Sequence, residues 1–83
     1  EQAGQALRNI MSILAATDAG AEHITRMTWF ITDKKEYLAS LKALGQKYRE
    51  EVGRHFPAMS VVEVKSLMED RAKVEIEATA VIP

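Results

Sequence analysis

Between Gly53 and Pro57 this chain must change its kind of structure, and that break constrains the fold more than any other feature. Before it, Tyr37, Leu41, Leu44, Tyr48 and Val52 recur at helical spacing and make one apolar stripe. Gly53 suits a helix end, and Pro57 forbids further helix because it lacks an N–H and clashes with the preceding turn. After it, alternation at every second residue takes over. Met59 to Lys65 reads as one strand and Lys73 to Ile82 as another. In the last strand Val74, Ile76, Ala78, Ala80 and Ile82 face one way, while Lys73, Glu75, Glu77 and Thr79 face the other.

The first half repeats the scheme. Ala3, Ala6, Leu7, Ile10, Met11 and Leu14 form a helical stripe, and Gly20 is the expected left-handed stop. His23 to Thr32 reads as a strand, with Met27, Trp29 and Ile31 alternating against Arg26, Thr28, Phe30 and Thr32. Phe30 is apolar on the polar side, which predicts cover on both faces there. Asp33 is the expected N-cap of the second helix, with Glu36 at N3 of a capping-box-like arrangement. Leu67 to Ala72 joins the last two strands, with Met68 packed beneath it. The order is α-β-α-β-β, an α+β fold with helices on one face of a sheet.

At 83 residues the chain reads as a single domain over 1–83. A domain this short buries only roughly 60% of its unfolded surface, so partner subunits would ease a marginal core. No Ser, Thr, Asp or Asn precedes Glu1 as a cap, so the expectation is a longer chain whose start lies upstream. A three-stranded sheet also leaves two edges to cover, which missing N-terminal strands would help to do.

The net charge is −1 with both signs interspersed, so no basic patch for nucleic acid is evident. No apolar run reaches the ~18 residues of a membrane span. Without cysteine there is no disulfide framework and no thiolate nucleophile. The expected setting is intracellular and cytoplasmic. His23 and His55 have no ligand-like spacing, so no metal is expected. Glu75 and Glu77 share one strand face, with Glu63 expected opposite them. The plain reading is a solvated face; the functional one is a carboxylate that positions water. His55 and Ser60 lack the neighbours of a catalytic triad, and Trp29 and Tyr37 read as packing residues.

The ordered set Glu1-Gln2-Ala3, Leu7-Arg8-Asn9-Ile10, Met27-Thr28-Trp29-Phe30-Ile31-Thr32-Asp33, Phe56-Pro57-Ala58, Val62-Glu63-Val64 and Val74-Glu75-Ile76-Glu77-Ala78-Thr79-Ala80 resembles the C-terminal two-thirds of a Rid-family (YjgF-type) domain. Gly20 and Tyr48 fit the same pattern. The resemblance implies a chorismate-mutase-like fold, a homotrimer with a barrel-like core, and small-molecule clefts between subunits. It implies cofactor-free deaminase chemistry, the hydrolysis of reactive imines such as 2-iminobutanoate to keto acids and ammonia. It also implies catalysis by Glu75 and a ligand-binding stretch of Ala58, Met59, Ser60 and Val61. An arginine follows Pro-Ala in the family's pattern and clamps the substrate carboxylate; here that position is Met59.

A thioether has no charge and no strong donor. Losing a bidentate contact to a charged group costs on the order of 2–5 kcal/mol. Gly45, where many members carry asparagine, is a second departure. Two functions therefore compete: an enzyme of altered specificity, and a trimeric binding module without turnover. A structural partner of another enzyme is a third, plainer reading. Arg54 and Arg71 are the candidates to replace the lost guanidinium.

Overall fold

The structure, a computed structural model, describes residues 2–82. Helix α1 spans Gln2–Ala16 and a single 3₁₀ turn spans Ala21–His23. Strand β1 (Ile24–Ile31) follows, then helices α2 (Lys34–Ala39) and α3 (Leu41–Glu51), then strands β2 (Ala58–Glu63) and β3 (Val74–Ala80). The sheet order is β2-β1-β3, with β1 parallel to β2 and antiparallel to β3. A parallel pair needs a crossover, and α2 and α3 supply it.

The helices cover one face of this sheet. Ala3 and Leu7 of α1 pack with Tyr48 and Val52 against Ile24, Met27 and Trp29 of β1. Leu7, Ile24 and Met27 are fully buried. Each such side chain contributes about 1.5–3 kcal/mol through the apolar surface it removes from water. Val74, Ile76 and Ala78 of β3 pack against the same core, as their alternation predicts.

Two helix signals hold. The Asp33 carboxylate accepts from the Glu36 N–H at 3.0 Å, and Gly53 has φ +96° after α3. The Glu36 carboxylate, however, pairs with Lys73 at 3.4 Å rather than closing a capping box. At the end of α1 the left-handed residue is Asp18 (φ 60°), not Gly20, which is extended. The Ala19 N–H bonds to Leu14 O and the Asp18 N–H to Ala15 O, the paired bonds of a Schellman end. The helix therefore stops four residues before the glycine, and Asp18 is among the non-glycine types that tolerate this region.

Three packing expectations need correction. The second helix breaks at Ser40, and Leu41 begins a new segment with its side chain 49% exposed, outside the stripe that Tyr37, Leu44, Tyr48 and Val52 do form. Met68 is 98% exposed and does not pack under its loop. Glu63 does not face Glu75 and Glu77, because β1 lies between their strands. Its carboxylate instead accepts from the Lys34 N–H at 2.7 Å, satisfying a free donor at the start of α2.

Candidate functional site

The strand registers assign every candidate residue to a face. Met27, Trp29 and Ile31 of β1 align with Met59, Val61 and Glu63 of β2, on the side where the helices lie. Arg26, Thr28 and Phe30 align with Ala58, Ser60 and Val62, on the open side. Across the other ladder, Glu75 pairs with Phe30, Glu77 with Thr28, and Thr79 with Arg26, also on the open side. The open face thus carries Glu75, Glu77, Thr28, Ser60, Phe30 and Arg26 as a mixed polar surface with an aromatic ring at its centre.

Glu75 has Phe30 beside it and Glu77 two residues on. Its carboxylate is exposed, and it is the open-face acid nearest the Lys73 end of β3. Phe30 was legible only as an apolar residue out of phase with its strand; nothing local marked it as the neighbour of Glu75. Paired side chains of an antiparallel ladder lie about 4.5–5.5 Å apart at Cβ, so the ring walls one side of the acid.

Met59 lies elsewhere. It is on the helix side of β2, three register positions from the Glu75 row. Every residue of β2 is exposed, Met59 at 42%, although Glu63 at its end bonds to the start of α2. Two strand spacings, about 10 Å, and the thickness of the sheet separate Met59 from Glu75. No rotamer joins them within one chain. Ala58 and Ser60 are on the Glu75 face and Val61 on the Met59 face, so the stretch 58–61 presents residues to both sides of an edge strand.

The turn that leads into β2 is held firmly. Tyr48 donates its hydroxyl to His55 O at 2.6 Å and stacks on Phe56 with ring centroids 5.4 Å apart. Burial pushes the Tyr48 hydroxyl above its ordinary pKa. His55 Nε2 lies 2.9 Å from Ile24 O. A carbonyl only accepts, so Nε2 carries the proton and donates. That bond meets β1 where its ladder with β3 is irregular, between Ile24 and Arg26. His55 is therefore a clamp between the turn and the central strand, a role no sequence spacing revealed. His23 is also occupied: its Nδ1 accepts from the Gly20 N–H at 3.0 Å.

Arg54 and Arg71 are both exposed. Arg71 closes the loop before β3, where its carbonyl accepts from Gln2 Nε2 at 2.8 Å, and stands four residues before Glu75. Arg54 follows Gly53 on the other side of the molecule's sheet order, near β2. Among the described residues no three His, Cys, Asp or Glu side chains gather as a metal site. No helix among them is long and apolar enough to cross a membrane.

Comparison with known proteins bears on the family and the fold. A family model described as endoribonuclease L-PSP matches residues 1–82. The RutC family protein UK114 of Drosophila melanogaster is 35% identical over 80 residues, covering 96% of this chain and 54% of its own length. A protein of Escherichia coli named "Putative reactive intermediate deaminase TdcF" is 35% identical over 81 residues, covering 98% of this chain and 61% of its own. The crystal structure of TdcF with bound serine superposes with a TM-score of 0.80 at 33% identity, over 98% of this chain and 62% of that one. The YjgF gene product of E. coli gives a TM-score of 0.78 at 37% identity, over 95% of this chain and 61% of that one. This chain spans 54% and 60% of the length of the first two curated relatives it matches.

Proposed function

The chain belongs to the endoribonuclease L-PSP family, the YjgF, RutC and Rid proteins, and has their chorismate-mutase-like fold; from that premise we propose that it hydrolyses reactive C=N bonds with a specificity set by Met59. The observation that carries the reading is the placement of the two key positions. The acid that the family pattern expects is present as Glu75, exposed and walled by Phe30, whereas the position of the carboxylate clamp is an uncharged thioether. The two lie on opposite faces, so a site that uses both is built between chains. That supports a homotrimer of the full protein with clefts at its subunit boundaries.

In such a cleft the Glu75 carboxylate takes a proton from water as the water oxygen bonds to the imine carbon. The C=N π pair moves to nitrogen, which takes the proton back from Glu75 and leaves a carbinolamine. The same carboxylate then moves the hydroxyl proton to the amine; the O–H pair forms the C=O bond, the C–N bond breaks, and ammonia leaves a carbonyl product. No electron acceptor is needed, because water adds and ammonia departs at one oxidation level. Ala58, Met59, Ser60 and Val61 line the ligand. Met59 offers dispersion contacts and no ion pair, which favours imines whose substituents are apolar and uncharged.

A second reading is a trimeric module that binds small ligands without turnover. It is favoured by the absence of the ionic clamp, and a relative, TdcF, is known with serine bound. One assay separates the two. The full-length protein is tested for ammonia release from 2-iminobutanoate and from uncharged imines, with Glu75→Ala and Met59→Arg alongside. The enzyme reading expects turnover of uncharged imines, reduced about 10²–10⁴-fold by Glu75→Ala. It also expects 2-iminobutanoate to gain in kcat/KM when Met59→Arg restores the fork. Equal rates for wild type and Glu75→Ala on every substrate leave the binding module standing.

A further inference from the structure

The loop that joins β2 to β3 lines an open cleft of about 570 Å³ at the end of the sheet where β1 finishes and β3 begins. That volume lies in the range of about 300–1,000 Å³ in which small-molecule sites fall. Lys65, Arg71 and Lys73 line the cleft, and Asp70 is the acid among the lining residues. Three cations against one acid leave a surplus of two positive charges.

The backbone that carries these cations is held in place. The Gln2 side chain brackets it with both ends of its amide: Nε2 donates to Arg71 O at 2.8 Å, and Oε1 accepts from the Lys73 N–H at 2.6 Å. The Ala72 N–H donates to Glu69 O at 3.0 Å, and the Thr32 N–H to Lys73 O at 3.2 Å. Beside Lys65, the Val64 N–H donates to Ile31 O at 2.7 Å. Less of the loop is left to order when a ligand binds, which lowers the cost of binding.

The polar ends are used unequally. Lys73 Nζ pairs with Glu36 at 3.4 Å. The Lys65 ammonium, the Arg71 guanidinium and the Ser66 hydroxyl have no partner among the described residues, and Asp70 forms an ion pair with neither cation. A monocarboxylate would match only half of the surplus charge. A phosphate monoester carries about −1.5 to −2 at neutral pH and offers three acceptor oxygens.

We propose that this cleft binds the phosphate group of a small phosphate monoester. The Arg71 fork takes two of its oxygens, Lys65 pairs with the third, and the Ser66 hydroxyl donates to the group. Leu67 in the lining offers an apolar contact to the organic part of the ester. No part of this rests on the C=N chemistry proposed for Glu75. The cations are exposed, so each contact is screened and a Kd of about 1 mM is expected.

The test titrates the full-length ¹⁵N-labelled protein with methyl phosphate at constant ionic strength, above the second phosphate pKa of about 6. Dimethyl phosphate keeps the tetrahedral centre but carries one charge, and acetate is the carboxylate comparator. Methyl phosphate is expected to saturate, with amide shifts confined to Thr32 and residues 65–73. It is expected to bind at least about tenfold tighter than either comparator, the difference of one charge-assisted hydrogen bond. Arg71→Gln and Lys65→Gln, both on exposed residues, are each expected to weaken it about three- to tenfold. Lys42→Gln removes the same charge from α3, outside the cleft, and is expected to leave binding unchanged. Failure of methyl phosphate to saturate, equal affinity for a comparator, or an equal loss in Lys42→Gln and Arg71→Gln each overturns the proposal. The three-probe comparison needs no variant, and none of these outcomes depends on ammonia release.

Discussion

The two faces of the sheet carry the same alternation and have opposite fates. On the covered face Met27 and Trp29 are buried against α1 and α3, Ile31 is buried on the same side, and the neighbouring β3 side chains complete the layer. On the open face Thr28 and Phe30 are half-buried while Glu75, Glu77 and Ser60 are exposed. Period-2 patterning separates the faces, but it does not say what each is for. The covered face holds the chain together. The open face holds the acid on which the proposed chemistry turns, and it keeps an aromatic ring that the core does not use.

The sharpest way to break this contrast is at Met27, which is fully buried. Met27→Ala is expected to cost about 2–5 kcal/mol in denaturant unfolding, from lost transfer energy and the cavity left behind. A loss under 1 kcal/mol would mean that the covered face is not the stabilising one.

The turn between the faces comes next. Tyr48→Phe removes the hydroxyl bonded to His55 O while keeping the stack on Phe56. About 0.5–1.5 kcal/mol of stability at neutral pH is expected to go with it. The effect has a pH signature. Burial raises the Tyr48 pKa above its unfolded value near 10.0, so its stabilisation is complete below that pH and is lost as pH rises through the folded pKa. Wild type is therefore expected to lose stability above pH 10 more steeply than Tyr48→Phe. Parallel alkaline melts of the two would refute the buried hydroxyl.

The smallest expected effect lies on the open face. Glu77→Gln, on an exposed residue, is expected to shift monomer stability by no more than about 0.5 kcal/mol. A loss of 2 kcal/mol or more that depends on protein concentration would show that another copy covers this face, and would place Glu77 in the contact.

Some of the site could be read directly and some could not. Asp33 as a cap and Gly53 as a stop were legible because capping is settled within four residues. Gly20 misled for a related reason: it is the easier left-handed residue, but the Schellman bonds at Leu14 and Ala15 close around Asp18. Leu41 misled because a stripe read at constant phase cannot register a break at Ser40. Glu63 misled because strands consecutive in the chain are not neighbours in this sheet: β1 lies between them, and the Glu63 carboxylate serves α2.

What the sequence determined by itself is local: that Glu75 and Glu77 share a face, that Val74, Ile76 and Ala78 oppose them, and that helix must give way to strand at Pro57. These follow from backbone geometry, where side chains alternate along a strand and proline cannot donate. Only the tertiary structure decided that β1 stands between β2 and β3, and with it that Met59 and Glu75 look out from opposite sides of one sheet. Strand pairing joins residues far apart in the chain through backbone groups that are the same at every position. Nothing in the side-chain pattern of a single strand specifies which neighbour it will take.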